Sequence, residues 1–248
     1  MNSRRFYRLP PEGSRFYYFT VTVKETDLWI AVSRSCRSRE QLPELVEQLV
    51  WRQRQDLERY LKQNPYFAVS LEPCLVDSSA PPIAFAMARA GNLAGVGPMA
   101  AVAGAFAEIV GLVLLEHAPE VLVENGGDLF VKVNEPVSVS IYAGQSPLSG
   151  KLGLLIRPEQ TPLGICTSSG TVGPSFSKGQ ADAAVVLSPS VPLADAAATA
   201  LGNLVQGPGD LEAAVGQAKN IAGVTGAVLI CGDRMAAWGE VSLLPLKP

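Results

Sequence analysis

The stretch CTSSGTVGPSFSKGQADAAVVLSPSVPLADAAATALGN, residues 166–203, decides how this chain is read. It opens on small hydroxyl residues, Thr167-Ser168-Ser169-Gly170-Thr171, which predict a polar turn. Residues 183–187, AAVVL, are short, apolar throughout and flanked by turn residues, the pattern of a buried strand. An alanine-rich helix is predicted next, with Ser190 as its N-cap and Pro192 in its first turn. Asp195 and Thr199 are four apart, so they share one face of that helix. A turn rich in N–H and O–H donors beside a carboxylate in the first turns of a helix suits phosphate and a hard cation. Plainer readings stand beside this one. Asp195 can simply complement the helix dipole, Thr199 can bond a carbonyl one turn back, and the hydroxyl run can be an ordinary turn.

Working outward, the rest of the chain falls into blocks. Residues 16–23 and 28–32 are rich in β-branched and aromatic side chains and are separated by Lys24-Glu25-Thr26-Asp27, a hairpin signal. Residues 39–63 carry apolar side chains at 42, 45, 46, 49, 50, 57 and 61, one stripe of an amphipathic helix with Arg, Glu and Gln opposite. Asn64-Pro65 stops it, and residues 67–69 read as a short strand that 72–76 continue. Pro81-Pro82 opens a helix to about Ala90, then a glycine-punctuated loop to Gly97, then a second helix from Pro98 with small residues nearly all round. Strands follow at 121–123, 129–133, 137–142 and 152–156. The first two flank Glu124-Asn125-Gly126-Gly127-Asp128, and Asn-Gly is the strongest short hairpin signal. A helix over 210–223 and strands at 228–231 and 237–244 close the chain. Elements that come in blocks rather than in βαβ alternation predict an α+β fold with antiparallel sheets and helices packed on one face. The element order is loosely repeated, which predicts a single domain, 1–248, of two intertwined halves, about 1–120 and 121–248.

Composition narrows the function classes. The chain is 48% hydrophobic and 17% charged, so much of it is interior or lies at an oligomer interface, and a homodimer is the expectation. Residues 1–62 hold 12 of the 20 Lys/Arg and 8 of the 23 Asp/Glu, net +4, against −7 for the remainder. No aromatic-interleaved basic stripe accompanies that charge, so no nucleic-acid partner is expected. Residues 99–115 form the longest apolar run, but Glu108 interrupts it, so a buried helix is predicted rather than a membrane span. Cys36, Cys74, Cys166 and Cys231 are scattered with no CxxC pair, as expected of reduced thiols in a cytoplasm. No apolar signal segment or lipoprotein-type cysteine marks the first residues. His117 is the only histidine and has no nucleophile elbow to serve; Cys166 has no evident base; Asp128 and Asp182 read as turn residues.

Three strings in this order, VENGGDLF (123–130), TSSG (167–170) and LADAAATALGN (193–203), resemble the ApbE superfamily of flavin transferases, and GPMAAVAGAFAEIVG (97–111) lies where that family has its alanine-rich segment. Further strings, KETDLWIAV, SPLSGKLGL and CTSSGTVG, are similar to a smaller branch of it, so the resemblance covers nearly the whole chain. The resemblance implies a duplicated, T-fold-like α+β architecture and a flavin nucleotide bound between the halves. It also implies Mg-dependent transfer of FMN from FAD to a protein threonine. It assigns Asp195, Thr199 and the carbonyl of Ala103 to the metal. Gly126, Gly127, Asp128, Thr167, Ser168, Ser169 and Gly170 fall to FAD or FMN. The expected partner is therefore a small-molecule nucleotide. Two departures oppose full transferase activity: the family's lysine in the alanine-rich segment falls on Gly104, and residues 174–187 contain neither the family's histidine nor its Asp-Pro. The alternative is a non-catalytic ApbE-like module that binds a small molecule or docks a partner.

Overall fold

The computed structural model describes residues 13–171 and 178–246. The basic opening segment before Gly13, and residues 174–177 of the string that lacks the family histidine, lie outside the described residues.

Strands β1 (Phe16–Val23) and β2 (Thr26–Ser33) form the expected hairpin, with Val23 opposite Thr26. Helix α1 (Leu42–Gln63) buries Leu42, Val46, Leu49, Val50 and Leu57, the stripe its spacing predicts. The strand expected at 67–69 is instead the end of a short helix, α2 (Pro65–Val69), and 72–76 form no strand. Pro65 presets a helical φ at the first turn, and Phe67 packs edge-on against Tyr60 at 5.3 Å between ring centroids. Helix α3 (Pro82–Ala94) runs past its expected end, so the first half of the presumed glycine loop is helical. A 3-10 turn, Pro98–Ala101, leads into α4 (Val102–Leu115).

Next come β3 (Val121–Asn125), β4 (Asp128–Lys132), β5 (Val137–Ser140), β6 (Leu152–Ile156), β7 (Leu163–Ser168) and β8 (Ala183–Ser188). Helix α5 (Val191–Asn203) follows. The helix expected over 210–223 is only α6 (Leu211–Gly216), set between 3-10 turns at Pro208–Asp210 and Gln217–Asn220. After β9 (Gly226–Cys231), the closing strand divides into β10 (Arg234–Gly239) and β11 (Leu243–Pro245), because Gly239 takes a positive φ of 80° and turns the chain into the other sheet.

Eight strands form one antiparallel sheet in the order β1-β2-β3-β4-β7-β8-β9-β10, and β11-β6-β5 form a second. Side chains alternate across the large sheet with the period of two that strands impose. In β8, Ala184 and Val186 face the helices, while Ala183, Val185 and Leu187 face the small sheet with Leu154 and Ile156. The architecture is therefore three-layered α+β: helices on one face of the large sheet, as expected, and a three-stranded sheet on the other. By length and a mean hydropathy of 2.0, Pro98–Leu115 could cross a bilayer. Here it packs on β3, β4 and α5, burying Ala105, Phe106, Ala107, Val110 and Leu114.

Candidate functional site

The site forms where α4 crosses the first turns of α5. Gly104 N–H donates to Asp195 Oδ2 at 2.8 Å. Only glycine allows this approach: a Cβ at position 104 would lie 2.7 Å from the Val191 carbonyl oxygen and 2.9 Å from Asp195 Cβ. Gly104→Ala is therefore expected to cost about 1–3 kcal/mol through overpacking. Thermal unfolding should show this as a fall in Tm of at least a few degrees.

One residue earlier, the Ala103 carbonyl accepts a hydrogen bond from Asn125 Nδ2 at 3.1 Å. Asn125 ends β3 and pairs with Asp128 across a two-residue turn in which Gly126 and Gly127 have φ of 69° and 113°. Two consecutive positive φ values require the Gly-Gly pair. Gly127 N–H donates to Glu124 Oε1 at 2.8 Å, and a Cβ on Gly127 would stand 3.6 Å from the Thr167 carbonyl oxygen. The turn thus leans on the end of β7.

Asp128 is not the turn-forming residue expected. It is 7% exposed, and its carboxylate faces the Cys166 thiol and the Thr167 N–H. Burial pushes its carboxyl up to about 7, the charge on Glu124 adds to this, and the Cys166 and Thr167 bonds oppose it. Asp195 is likewise held well above the ordinary carboxylate range, first by burial and then by the charge of Asp128, against the pull of the Gly104 and Ala103 N–H groups. Cys166 is fully buried between the two, its Sγ 3.4 Å from the Val191 carbonyl oxygen. Burial and then both carboxylates raise the thiol well above its usual value. A protonated, enclosed thiol is a poor nucleophile. In the native protein at neutral pH, alkylation at Cys166 should run at least about tenfold slower than for free cysteine. Peptide mapping after timed iodoacetamide treatment reads this.

The other predicted residues divide. Thr167 and Ser168 lie in β7 rather than in a turn, because β8 keeps pairing with them as far as Ser168 opposite Ala184. Ser168 sits under α5, its Oγ 3.9 Å from where a Cβ on Gly202 would lie. Thr199 is half-buried one turn beyond Asp195 on the same face. Ser169 and Gly170 turn away: Thr171 N–H donates to Ser169 Oγ at 3.1 Å, the Thr171 hydroxyl to Asp182 at 3.0 Å, and Gly170 N–H to the Ala181 carbonyl at 2.9 Å. Asp182 also accepts from Gly232 N–H at 2.8 Å, a structural role. Ser190 caps no helix through its side chain; Glu108 of α4 does so instead, accepting from Val191 N–H at 2.9 Å. Burial raises the Glu108 carboxyl, opposed by that bond. His117 lies exposed beyond α4. Among the described residues no cluster of three His, Cys, Asp or Glu side chains is arranged to hold a metal. Beside Ala103 and Asn125 a cavity of about 270 Å³ opens between α1, β2 and α4.

The family model described as "AbpE bacteria" matches residues 8–237. The chain belongs to that family. Its relatives include a UPF0280 protein of Methanocella arvoryzae, 49% identical over 197 residues that span 77% of this chain and 78% of that one. A UPF0280 protein of Methanocaldococcus jannaschii is 37% identical over 226 residues, 89% of this chain and 90% of that one. Among solved structures, the fold resembles a mutant of the flavin transferase ApbE from Vibrio cholerae, with a TM-score of 0.58, 14% identity, and 91% and 97% of the two chains covered. An ApbE protein from Thermotoga maritima gives a TM-score of 0.58 at 12% identity, covering 89% and 96%. This protein therefore has the ApbE fold, built on a sequence much closer to the UPF0280 relatives than to the structurally characterised transferases.

Proposed function

We propose that this ApbE-family protein binds a diphosphate-linked flavin nucleotide, FAD as the reference ligand, through a magnesium ion held by Asp195, Thr199 and the Ala103 carbonyl. The observation that carries this reading is the crossing of α4 over α5, where the Ala103 carbonyl stands one residue from the N–H that grips Asp195. The donor set fits. All three groups are hard oxygens, few in number, as magnesium prefers when phosphate and water complete its shell. The Asp195 carboxylate, with two oxygens, keeps accepting capacity beyond the Gly104 and Ala103 N–H groups that face it. The charge of Asp128 raises the Asp195 carboxyl, so a divalent cation between nucleotide and protein would offset that repulsion. When bound, the ion would neutralise charge on the diphosphate and orient it.

This chain's own residues supply the rest. The Gly126-Gly127 turn lets a phosphate approach bare backbone. Asn125 fixes the Ala103 carbonyl, and Gly104 N–H fixes the Asp195 rotamer. Asp128, titrating near neutrality, can hold a proton at its carboxyl.

Gly104 favours a second reading, in which the nucleotide is bound but FMN is not passed to a protein. No side chain fits at the position where the family resemblance expects a lysine. Calorimetric titration of FAD with and without Mg²⁺ tests the first reading: binding that does not strengthen with Mg²⁺ removes it. Incubation with FAD and a threonine-containing acceptor protein separates the two, since released AMP or flavinylated product excludes the purely binding version.

A further inference from the structure

The outer face of α3 and the chain just before it carry most of the apolar surface that this protein leaves bare. Of eleven large hydrophobic side chains exposed among the described residues, six fall between positions 66 and 93: Tyr66, Val69, Leu71, Leu75, Phe85 and Leu93. They lie together. The Ser70 carbonyl oxygen presses on Gly97, where a Cβ would meet it at 1.9 Å, and this sets Val69 and Leu71 beside the end of α3. Leu75, Val76, Phe85 and Leu93 line one open groove of about 410 Å³ together with Ala88, Arg89 and Asn92. On α3, positions 85, 89, 92 and 93 share one helical face, opposite the buried Ile83, Met87 and Ala90. Leu75 is 95% exposed, yet the chain around it is tied down: Ser70 Oγ donates to the Glu72 carbonyl at 2.9 Å, and Cys74 is buried. At exposures of 41–95%, the six side chains leave on the order of 500 Å² of apolar surface in water. That matches the largest patch on a typical monomer, roughly 300–600 Å², a size that marks an interaction site.

We propose that this face is the contact between two copies of the chain, related by a two-fold axis. Shape selects a second copy, because knob and socket lie side by side on one face: a two-fold axis seats Leu75 of each copy in the groove of the other. Charge selects it too. Residues 66–93 contain only three charged side chains, Glu72, Asp77 and Arg89. Asp77 accepts from Ser79 N–H at 2.7 Å. Glu72 and Arg89 are exposed and enter no ion pair among the described residues. Glu72 precedes the groove by three residues and Arg89 lines it, so the same axis sets each Arg89 against the other copy's Glu72. An anionic membrane would call for a cluster of cations, and this face has one. Area agrees: a stable dimer needs about 800 Å² per partner with an apolar centre, and on the order of 500 Å² of apolar surface supplies that centre. The second copy would brace α3, which packs on α5 and on the 3-10 turn that leads to Ala103. The contact itself is independent of the metal-nucleotide reading, since none of its residues belongs to the α4–α5 crossing.

Sedimentation equilibrium of the full-length protein at micromolar concentration, without FAD or Mg²⁺, is expected to give twice the 26.2 kDa of one chain. Leu75→Glu and Phe85→Glu each replace an exposed side chain, so the protomer should fold, and each should raise the dimer dissociation constant at least about tenfold by placing a charge in the apolar centre. Arg89→Glu should weaken the dimer severalfold, because it sets like charges against each other, and adding Glu72→Arg should restore it. Met235→Glu, at an exposed apolar position on β10, should leave the dimer unchanged. Circular dichroism establishes that each variant is folded, and the two glutamate variants serve as alternates if one is not. A wild-type protein that sediments as a monomer, whether free or bound to phosphatidylserine vesicles, overturns the proposal. So does a dimer that survives the folded glutamate variants at 75 and 85, a dimer broken by Met235→Glu, or an Arg89→Glu defect that Glu72→Arg does not repair.

Discussion

Asp195→Ala is expected to abolish the Mg²⁺-dependent part of FAD binding, weakening the complex about 10–100-fold at saturating Mg²⁺ and leaving the weaker Mg²⁺-independent affinity unchanged. The carboxylate is the only charged member of the proposed donor set, so its loss leaves a hydroxyl and a carbonyl, too little to hold a strongly hydrated ion. Asn125→Ala should act at one remove. It frees the Ala103 carbonyl rather than deleting a ligand, so a smaller loss of severalfold is expected. Thr199→Val should fall between the two. Calorimetry across the three variants, each with and without Mg²⁺, gives the order. An Asp195→Ala protein whose affinity still rises with Mg²⁺ as in the wild type would place the ion elsewhere. Thermal melts establish that each variant is folded, because Asp195→Ala also removes the acceptor of the Gly104 N–H.

Much of this arrangement is legible in the residues themselves, and what is not has a common physical cause. The β1–β2 hairpin, α1 and α5 declare themselves because each is a local pattern: alternation, a 3.6-residue stripe, Pro192 just inside a helix start. The Gly126-Gly127 turn is equally local. Residues 65–69 misled because Phe-Ala-Val suits a strand, while Pro65 and the contact of Phe67 with Tyr60 decide for a helix. Asp128 reads as a turn residue because nothing near it in sequence tells that β4 pairs with β7, which sets its carboxylate against Cys166 and Thr167 nearly forty residues on. Glu108 capping α5 spans 83 residues, and Gly104 meeting Asp195 spans 91. Arg54 looks like one more charge on a solvated helix face until β2 brings Thr26 to it. Motif order could name the family and nominate Asp195, Thr199 and Ala103, but only the packing of α4 on α5 explains why position 104 must be bare.

The apo protein should lose stability as the pH rises from about 4 to 7, and Mg²⁺ should reverse the trend. Asp128 titrates near 7 in the folded chain against an ordinary value of 3.8. Between those values the folded state keeps a proton that the unfolded state has released, so unfolding becomes progressively easier with rising pH and levels off above about 7. Asp195 and Glu108, both raised, act in the same direction. Glu120, Glu25 and Glu58 are lowered instead, so their contributions grow only up to about pH 5 and do not vary above it. A rise of about three pH units on one buried carboxyl corresponds to at most about 4 kcal/mol, and about 2–4 kcal/mol is expected once coupling to Asp195 is shared between the two. For a chain of this size that is a fall in Tm of about 4–16 °C across the window. Asp128→Asn should flatten the curve and melt higher than the wild type at pH 8. Magnesium binds the ionised carboxylates, so the stabilisation it gives should grow with pH where the apo protein weakens. Differential scanning fluorimetry from pH 4.5 to 8, with and without Mg²⁺, reads both trends. A wild-type Tm that climbs from pH 5 to 7 without metal would mean that the Asp128–Asp195 pair is solvated and ionised, and with it would go the argument that this crossing is built to be completed by a cation.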